Sequence, residues 1–286
     1  MRPDPLAAIQ RFLERPRIAY IRDVVETYGR APGGLLANGL AFTALFASIP
    51  TMLVALGLVG LLVDDPEVQA ELADALASAF PPLSNVIDAS LEALRDEAPI
   101  TSTVGVLSLV WTVSQLYVTL DVAFTRIFTG ADERHVVRRT VRGFVWVAII
   151  VALILGAVVA GTLLAAAGTL LPSRSSFASG AMAVMTSWPA LIVASVLAVG
   201  AIYRLVPART PTWRDLAVPA VGAGLVIALL SQLFAFIAPR VVGIADILGP
   251  LATVFIALAW LSLTFQALLL GAAWVRVADR RRRGLD

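Results

Sequence analysis

Long apolar stretches alternate with short charged segments along this 286-residue chain. Each apolar stretch reaches the ~20 residues that an α-helix needs to cross ~30 Å of hydrocarbon. The stretches predict membrane spans at about 38–63, 103–128, 143–170, 180–203, 216–237 and 247–275. The pattern therefore predicts an all-α polytopic membrane bundle of six transmembrane helices.

Residues 1–37 have a different pattern, with apolar and charged positions mixed. Ile18, Ile21, Val24 and Val25 recur at helical spacing, and arginines and acids lie between them. This spacing predicts an amphipathic helix in the membrane surface. A helix packed against the ends of the bundle fits the same pattern equally well.

Two further segments lie outside the predicted spans. Residues 64–102 are rich in acids and contain two short amphipathic stripes separated by Pro81 and Pro82. They predict a short helical cap over the bundle on the extracytoplasmic side. Residues 276–286 form a basic tail, which is expected in the cytoplasm.

The arginines lie almost entirely in alternate connections. Nineteen of the 22 basic residues fall in residues 1–37, in the connection after the second span together with Arg126 at the end of that span, in the connection after the fourth span, and in the tail. The remaining connections contain only Arg95, Arg174 and Arg240. Positive charge is enriched in cytoplasmic loops of membrane proteins, so both termini are predicted to be cytoplasmic.

Composition supports a membrane protein and limits its chemistry. The chain is 59% hydrophobic and 15% charged, with mean hydropathy +0.86, whereas soluble domains average about 45–50% apolar and about 25% charged residues. It has no cysteine, so it has no disulfide framework and no thiolate metal site. A net charge of +2 is too small to suggest nucleic-acid binding, and membrane lipids are the expected partners.

Polar residues within the predicted spans are the candidate functional residues. A carboxylate inside a span is costly and indicates a function by default, which makes Asp121 the leading candidate. It shares a helical stripe with Ser114, Tyr117 and Thr125. The candidates for a substrate or ion pathway are Asp121, Gln115, Tyr117, Asn38, Gln232 and Gln266.

Asp121 is expected to face the bundle interior and to be held by an arginine or by hydroxyl hydrogen bonds. The candidate charge partners are Arg204, Arg276 and Arg126. Arg126 is the least favourably placed because it lies five residues away on the same helix.

Breaks within membrane helices are a second feature that is common in transport sites. Pro50 lies within the first span, and Gly249 and Pro250 stand at the entrance of the last one. A proline within a span leaves a backbone carbonyl for neighbours or water to satisfy, and discontinuous helices often build transport sites. A kink is therefore expected near residues 46–50.

Three motifs in register resemble those of the YihY/BrkB family of bacterial inner-membrane proteins, and together they extend over nearly the whole chain. The string ANGLAFTALFASIP at 37–50 resembles the family's first span. Residues 203–207, followed by Trp213 and Arg214, are similar to the family's connection between the fourth and fifth spans. Residues 248–250, followed by Trp260 and residues 270–272, are similar to its last span. Thr125 and Ala273 depart from the family, which often has Asn near the first position and Glu at the second, so this chain lacks those two polar groups.

The resemblance implies six spans and a location in the bacterial cytoplasmic (inner) membrane. The family has carried the label ribonuclease BN, a link to serum resistance, and suggestions of envelope-lipid transport. RNA hydrolysis needs acid–base groups or a metal cluster. The single histidine, His135, lies in an arginine-rich loop next to Asp132 and Glu133. Three adjacent side chains in a short loop are a poor substitute for a preorganised metal site. The ribonuclease activity is therefore rejected and a non-enzyme is predicted, with no catalytic residues, metal or cofactor.

Two function classes remain. The first is a transporter or exporter of a small or amphiphilic envelope substrate, including a lipid-like one, through a polar bundle interior. The second is an envelope scaffold or assembly protein, in which Asn38, Gln232 and Gln266 only hold helices together. Six spans suffice for a cavity within one protomer or for half of a pore shared by two, so a homo-oligomer also stays open.

Overall fold

The computed structural model describes residues 16–62, 98–128, 188–207, 212–242 and 250–284. Within these ranges the chain forms six α-helices and no strand, which confirms the predicted all-α class. The helices are α1 Pro16–Arg30, α2 Gly33–Leu62, α3 Ala98–Phe128, α4 Trp188–Leu205, α5 Trp213–Val242 and α6 Pro250–Arg282. The predicted span at 143–170 and most of the predicted cap at 64–102 lie outside the described residues.

Prolines stand at the starts of four of these helices. Pro16 and Pro250 are the first residues of α1 and α6, and Pro99 and Pro189 are the second residues of α3 and α4. Proline is tolerated in a first helical turn because its missing N–H would have no partner inside the helix. Pro250 therefore starts the last helix, and Gly249 before it lies outside the described residues.

The observed helices extend beyond several of the predicted span boundaries. Helix α2 begins at Gly33, ahead of the predicted start at 38, and continues through Pro50 without an interruption. Helix α6 continues through the arginine-rich segment predicted as a tail, as far as Arg282. It ends where Gly284 adopts a positive φ of 66°, a conformation that terminates helices and that glycine adopts without strain.

A sharp bend separates α1 from α2. The segments Ile18–Arg30 and Gly33–Ser48 are bent by 59°, and the bend falls at Ala31 and Pro32. The residue before a proline is disfavoured in the helical conformation. A β-carbon at Gly33 would overlap the ring of Tyr28, so glycine allows the two helices to approach closely at this bend.

Helix α6 is the centre of the described structure, because it contacts α1, α2, α3 and α5. Helix α4 packs on α5, and α2 packs on α3. The buried core lies where the ends of several helices meet and includes Leu40, Phe124, Tyr203, Leu216 and Leu269. We call this end of the bundle the basic end, since the arginines at the ends of α3, α4 and α6 lie there.

The outer face of α5 is apolar and exposed. Its exposed side chains include Val218, Val221, Leu225, Leu229 and Leu233. An exposed apolar helix face is expected where lipid, not water, is the surrounding solvent. This face therefore supports a membrane location for α5.

By length and composition, two helical segments in the described part of the chain can cross a membrane, Trp213–Ile237 and Val254–Arg282. The bent pair α1 and α2 adds a third if it forms one broken span, and Ile192–Arg204 is a shorter apolar helix. The membrane class is therefore confirmed, whereas the number of six spans stays a prediction.

Small residues bring α4, α5 and α6 close together. A β-carbon at Gly224 of α5 would lie 2.7 Å from the Cα of Val196 in α4. A β-carbon at Gly271 of α6 would overlap the Tyr203 hydroxyl, which donates a buried 2.6 Å hydrogen bond to the Leu268 carbonyl. Close backbone approach through small residues is a common way to pack membrane helices.

Candidate functional site

Asp121 lies inside the protein near the end of α3. Its side chain is 1% exposed, and Tyr117 and Phe124 on the same helix face are also buried. Ser114 and Thr125, the other members of the predicted polar stripe, are partly buried. The stripe therefore faces other helices, and the carboxylate does not point into lipid.

The three predicted charge partners of Asp121 lie at the basic end of the bundle. Arg276 of α6 donates a hydrogen bond to the main-chain carbonyl of Ile127, in the last turn of α3. The last carbonyls of a helix have no partner inside it and attract cations, so Arg276 caps α3. The guanidinium of Arg204 lies 5.2 Å from the ring centre of Trp213, and Arg126 is exposed.

Two of the predicted polar residues, Asn38 and Gln266, are linked through Ser262. The Ser262 hydroxyl donates a 2.5 Å hydrogen bond to the side-chain oxygen of Asn38, and the Gln266 amide donates a 3.0 Å bond to the Ser262 hydroxyl. These bonds join α2 to α6 across 224 residues of sequence. Hydrogen bonds of this kind hold membrane helices together.

The remaining predicted residues are not brought into one site by these contacts. Gln115 is exposed, and its carbonyl accepts a 2.9 Å hydrogen bond from Thr119 one turn later. Gln232 on α5 is partly buried. Pro50 lies inside α2, and Pro250 is the first residue of α6.

An ionic cluster at the basic end is not predicted by the sequence pattern. Asp215, whose side chain is 3% exposed, accepts a 2.5 Å hydrogen bond from Thr212 and forms a 2.9 Å ion pair with Arg282. Arg282 also donates a 2.7 Å bond to the Thr212 hydroxyl. The cluster therefore joins the start of α5 to the end of α6.

The sequence signal for this cluster is local. Thr212 precedes α5 and Asp215 is its third residue, the spacing of a capping box, in which both side chains stabilise the first turn. The Asp215 amide also bonds the Thr212 carbonyl at 3.0 Å. In the sequence the arginine run at 280–283 indicates only topology, whereas in the structure Arg282 is also a partner of Asp215.

A second ion pair joins α6 to α1. Arg281 lies 2.6 Å from the carboxylate of Asp23, and its guanidinium lies 4.6 Å from the ring centre of Tyr20. Adjacent arginines thus contact different helices, Arg281 with α1 and Arg282 with α5. In the described part of the chain, no three His, Cys, Asp or Glu side chains lie close enough to hold a metal ion.

The exposed apolar faces of the helices, and the hydrogen bonds and ion pairs between them, define a helical integral membrane protein. The chain belongs to the virulence factor BrkB family, whose sequence model matches residues 24–286. This match confirms the resemblance to the YihY/BrkB family.

Curated relatives carry the name UPF0761 membrane protein. The chain is 28% identical to one from Bordetella petrii over 87% of its own length, and 24% identical to one from Nitrosospira multiformis over 83%. A relative from Chromohalobacter salexigens is 26% identical over 92% of the chain. The alignments include 55%, 55% and 64% of the lengths of these relatives, so the chain spans less than two thirds of each. No solved structure matches the chain.

Proposed function

We propose that this protein moves an amphiphilic, lipid-like envelope molecule across or out of the bacterial inner membrane, with Asp121 as the working polar group. The observation that carries the proposal is a carboxylate that is 1% exposed in a helix of a membrane bundle. Ionisable side chains inside membrane bundles are costly, and they commonly mark substrate or ion pathways.

Replacing Asp121 with asparagine tests this role. The variant is expected to fold normally, because the amide can still accept hydrogen bonds, but to lose the transport activity that depends on the charge. Vesicles of phosphatidylcholine that contain a fluorescent phosphatidylglycerol provide the measurement. An impermeant reductant bleaches only the outer-leaflet lipid unless the protein moves inner-leaflet lipid outward.

The wild-type chain should increase the bleached fraction above that of protein-free vesicles, and Asp121→Asn should not. Asp279→Asn, the same substitution at an ion-paired carboxylate near the end of α6, is the matched control and should behave like wild type. Full activity of the Asp121→Asn variant would show that Asp121 has only a structural role. An inactive wild type with a normal melting curve would contradict lipid movement.

A scaffold without transport is the second candidate. The hydrogen bonds among Asn38, Ser262 and Gln266 favour it, since they use polar groups to join α2 to α6. In that case the same vesicles should show no lipid movement with any variant, and the protein should act through partners in the envelope.

We also propose an orientation of the chain in the membrane. We place both termini in the cytoplasm because of the arginine distribution. The chain has no cysteine, so single cysteines at Ser90 and Ala208 give a clean labelling test. An impermeant thiol reagent added to intact cells should label position 90 but not position 208, and the reverse pattern would contradict this topology.

A further inference from the structure

An apolar groove with a volume of about 270 Å³ runs between α1, α5 and α6. Its walls include Ile21 and Val25 of α1, Gly222 and Val226 of α5, and Leu270 and Trp274 of α6. A β-carbon at Gly222 would lie 2.9 Å from the Trp274 ring. Glycine at position 222 therefore allows the Trp274 ring to lie against the backbone of α5, where the ring forms part of the groove wall.

The groove is open on one side. Its α5 and α6 walls fall within Trp213–Ile237 and Val254–Arg282, the segments able to cross a membrane. Its rim is apolar, with Ile21 62% and Val25 54% exposed. Water gains few hydrogen bonds in such a groove, so a hydrocarbon chain is the occupant that matches its lining.

Cationic groups lie at the α1 side of the groove. Arg281 stacks on Tyr20, whose ring is part of the groove wall. On the other side of α1, a polar cavity of about 470 Å³ is lined by Arg30, Arg280 and Arg281, against the acids Asp23 and Glu26. Arg281 is ion-paired with Asp23 and Arg30 with Glu26, and the three arginines of the cavity still outnumber its two acids. This net positive charge beside an apolar groove complements an anionic head group above an acyl chain.

We propose that this groove binds one acyl chain of an anionic phospholipid, with the head group beside Arg281. Helix α1 then completes a lipid site, because one of its faces lines the groove and another lines the basic cavity. The inference does not rest on the proposed transport, since a lipid held here would equally fix α1 in a scaffold.

Photo-crosslinking in vesicles tests the site on the full-length chain. The vesicles contain phosphatidylcholine and a small fraction of phosphatidylglycerol with a photoreactive group on its acyl chain. Adducts are expected to concentrate on residues 20–25, 222–226 and 267–274. Val226→Phe should fill the groove and cause loss of these adducts, whereas Leu229→Phe, at another exposed position of α5, should leave them unchanged.

A second cross-linking experiment tests the head group. It compares the photoreactive phosphatidylglycerol with a phosphatidylcholine that carries the same photoreactive chain. Wild type should prefer the anionic lipid, and Arg281→Gln should lose the preference, whereas Arg283→Gln should retain it. Adducts spread evenly along the exposed face of α5 would mean annular lipid only and would overturn the site. Unchanged adducts in a folded Val226→Phe variant, or cross-linked dimers through the groove, would overturn it as well.

Discussion

Replacing Gly224 with alanine is expected to destabilise the protein by about 3 kcal/mol, in the upper part of the range for overpacked interiors. The added β-carbon would lie 2.7 Å from the Cα and 2.9 Å from the backbone nitrogen of Val196. Because backbone atoms cannot rotate aside, α4 and α5 must move apart. The measurement is the midpoint of thermal unfolding in detergent.

Gly39→Ala is the matched control for this prediction. A β-carbon at Gly39 of α2 would meet no atom within 4 Å beyond the backbone of its own helix. Alanine is also favoured over glycine in a helix by ~1 kcal/mol. This variant should be as stable as wild type or more stable. Equal melting temperatures for the two alanine variants would contradict the close contact between α4 and α5.

Replacing Arg282 with glutamine is expected to cost about 3 kcal/mol, because removing one partner of a buried ion pair leaves the other charge uncompensated. The carboxylate that remains, Asp215, is 3% exposed. The value lies at the low end of the range for buried pairs because the Arg282 side chain is 44% exposed and reaches water. Thermal unfolding in detergent measures the loss.

The neighbouring Arg283 provides the control. It forms a 2.9 Å pair with Asp279 one turn earlier on the same helix surface, and exposed pairs of this kind contribute only about 0.3–0.5 kcal/mol. A double-mutant cycle of Arg282→Gln with Asp215→Asn should show that the two losses are not additive. Equal and small losses for Arg282→Gln and Arg283→Gln would contradict a structural role of the cluster.

Several properties follow from the sequence alone. The lengths of the apolar stretches predict helices and a membrane protein, because each residue adds a fixed rise to a helix and the hydrocarbon thickness is fixed. Motifs in register predict the family. The inward placement of Asp121 also follows from local pattern, since its polar stripe has helical spacing.

Contacts between distant segments depend on the tertiary structure. Asn38 and Ser262 meet across 224 residues, and Asp23 and Arg281 across 258. A periodic pattern specifies which face of a helix is polar, but not which helix lies opposite it. Consequently the sequence could predict Arg276 near the end of α3, but not that it would bond the Ile127 carbonyl.

The arginines show most clearly the difference between what the sequence determines and what the tertiary structure determines. Their distribution along the chain predicts which ends of the helices share one side of the membrane, because charge acts on topology through its position in the sequence. The directions in which Arg281 and Arg282 reach depend on how α1 and α5 pack around α6. The groove between these three helices likewise exists only in the folded chain, because its walls come from segments that meet only when the helices pack.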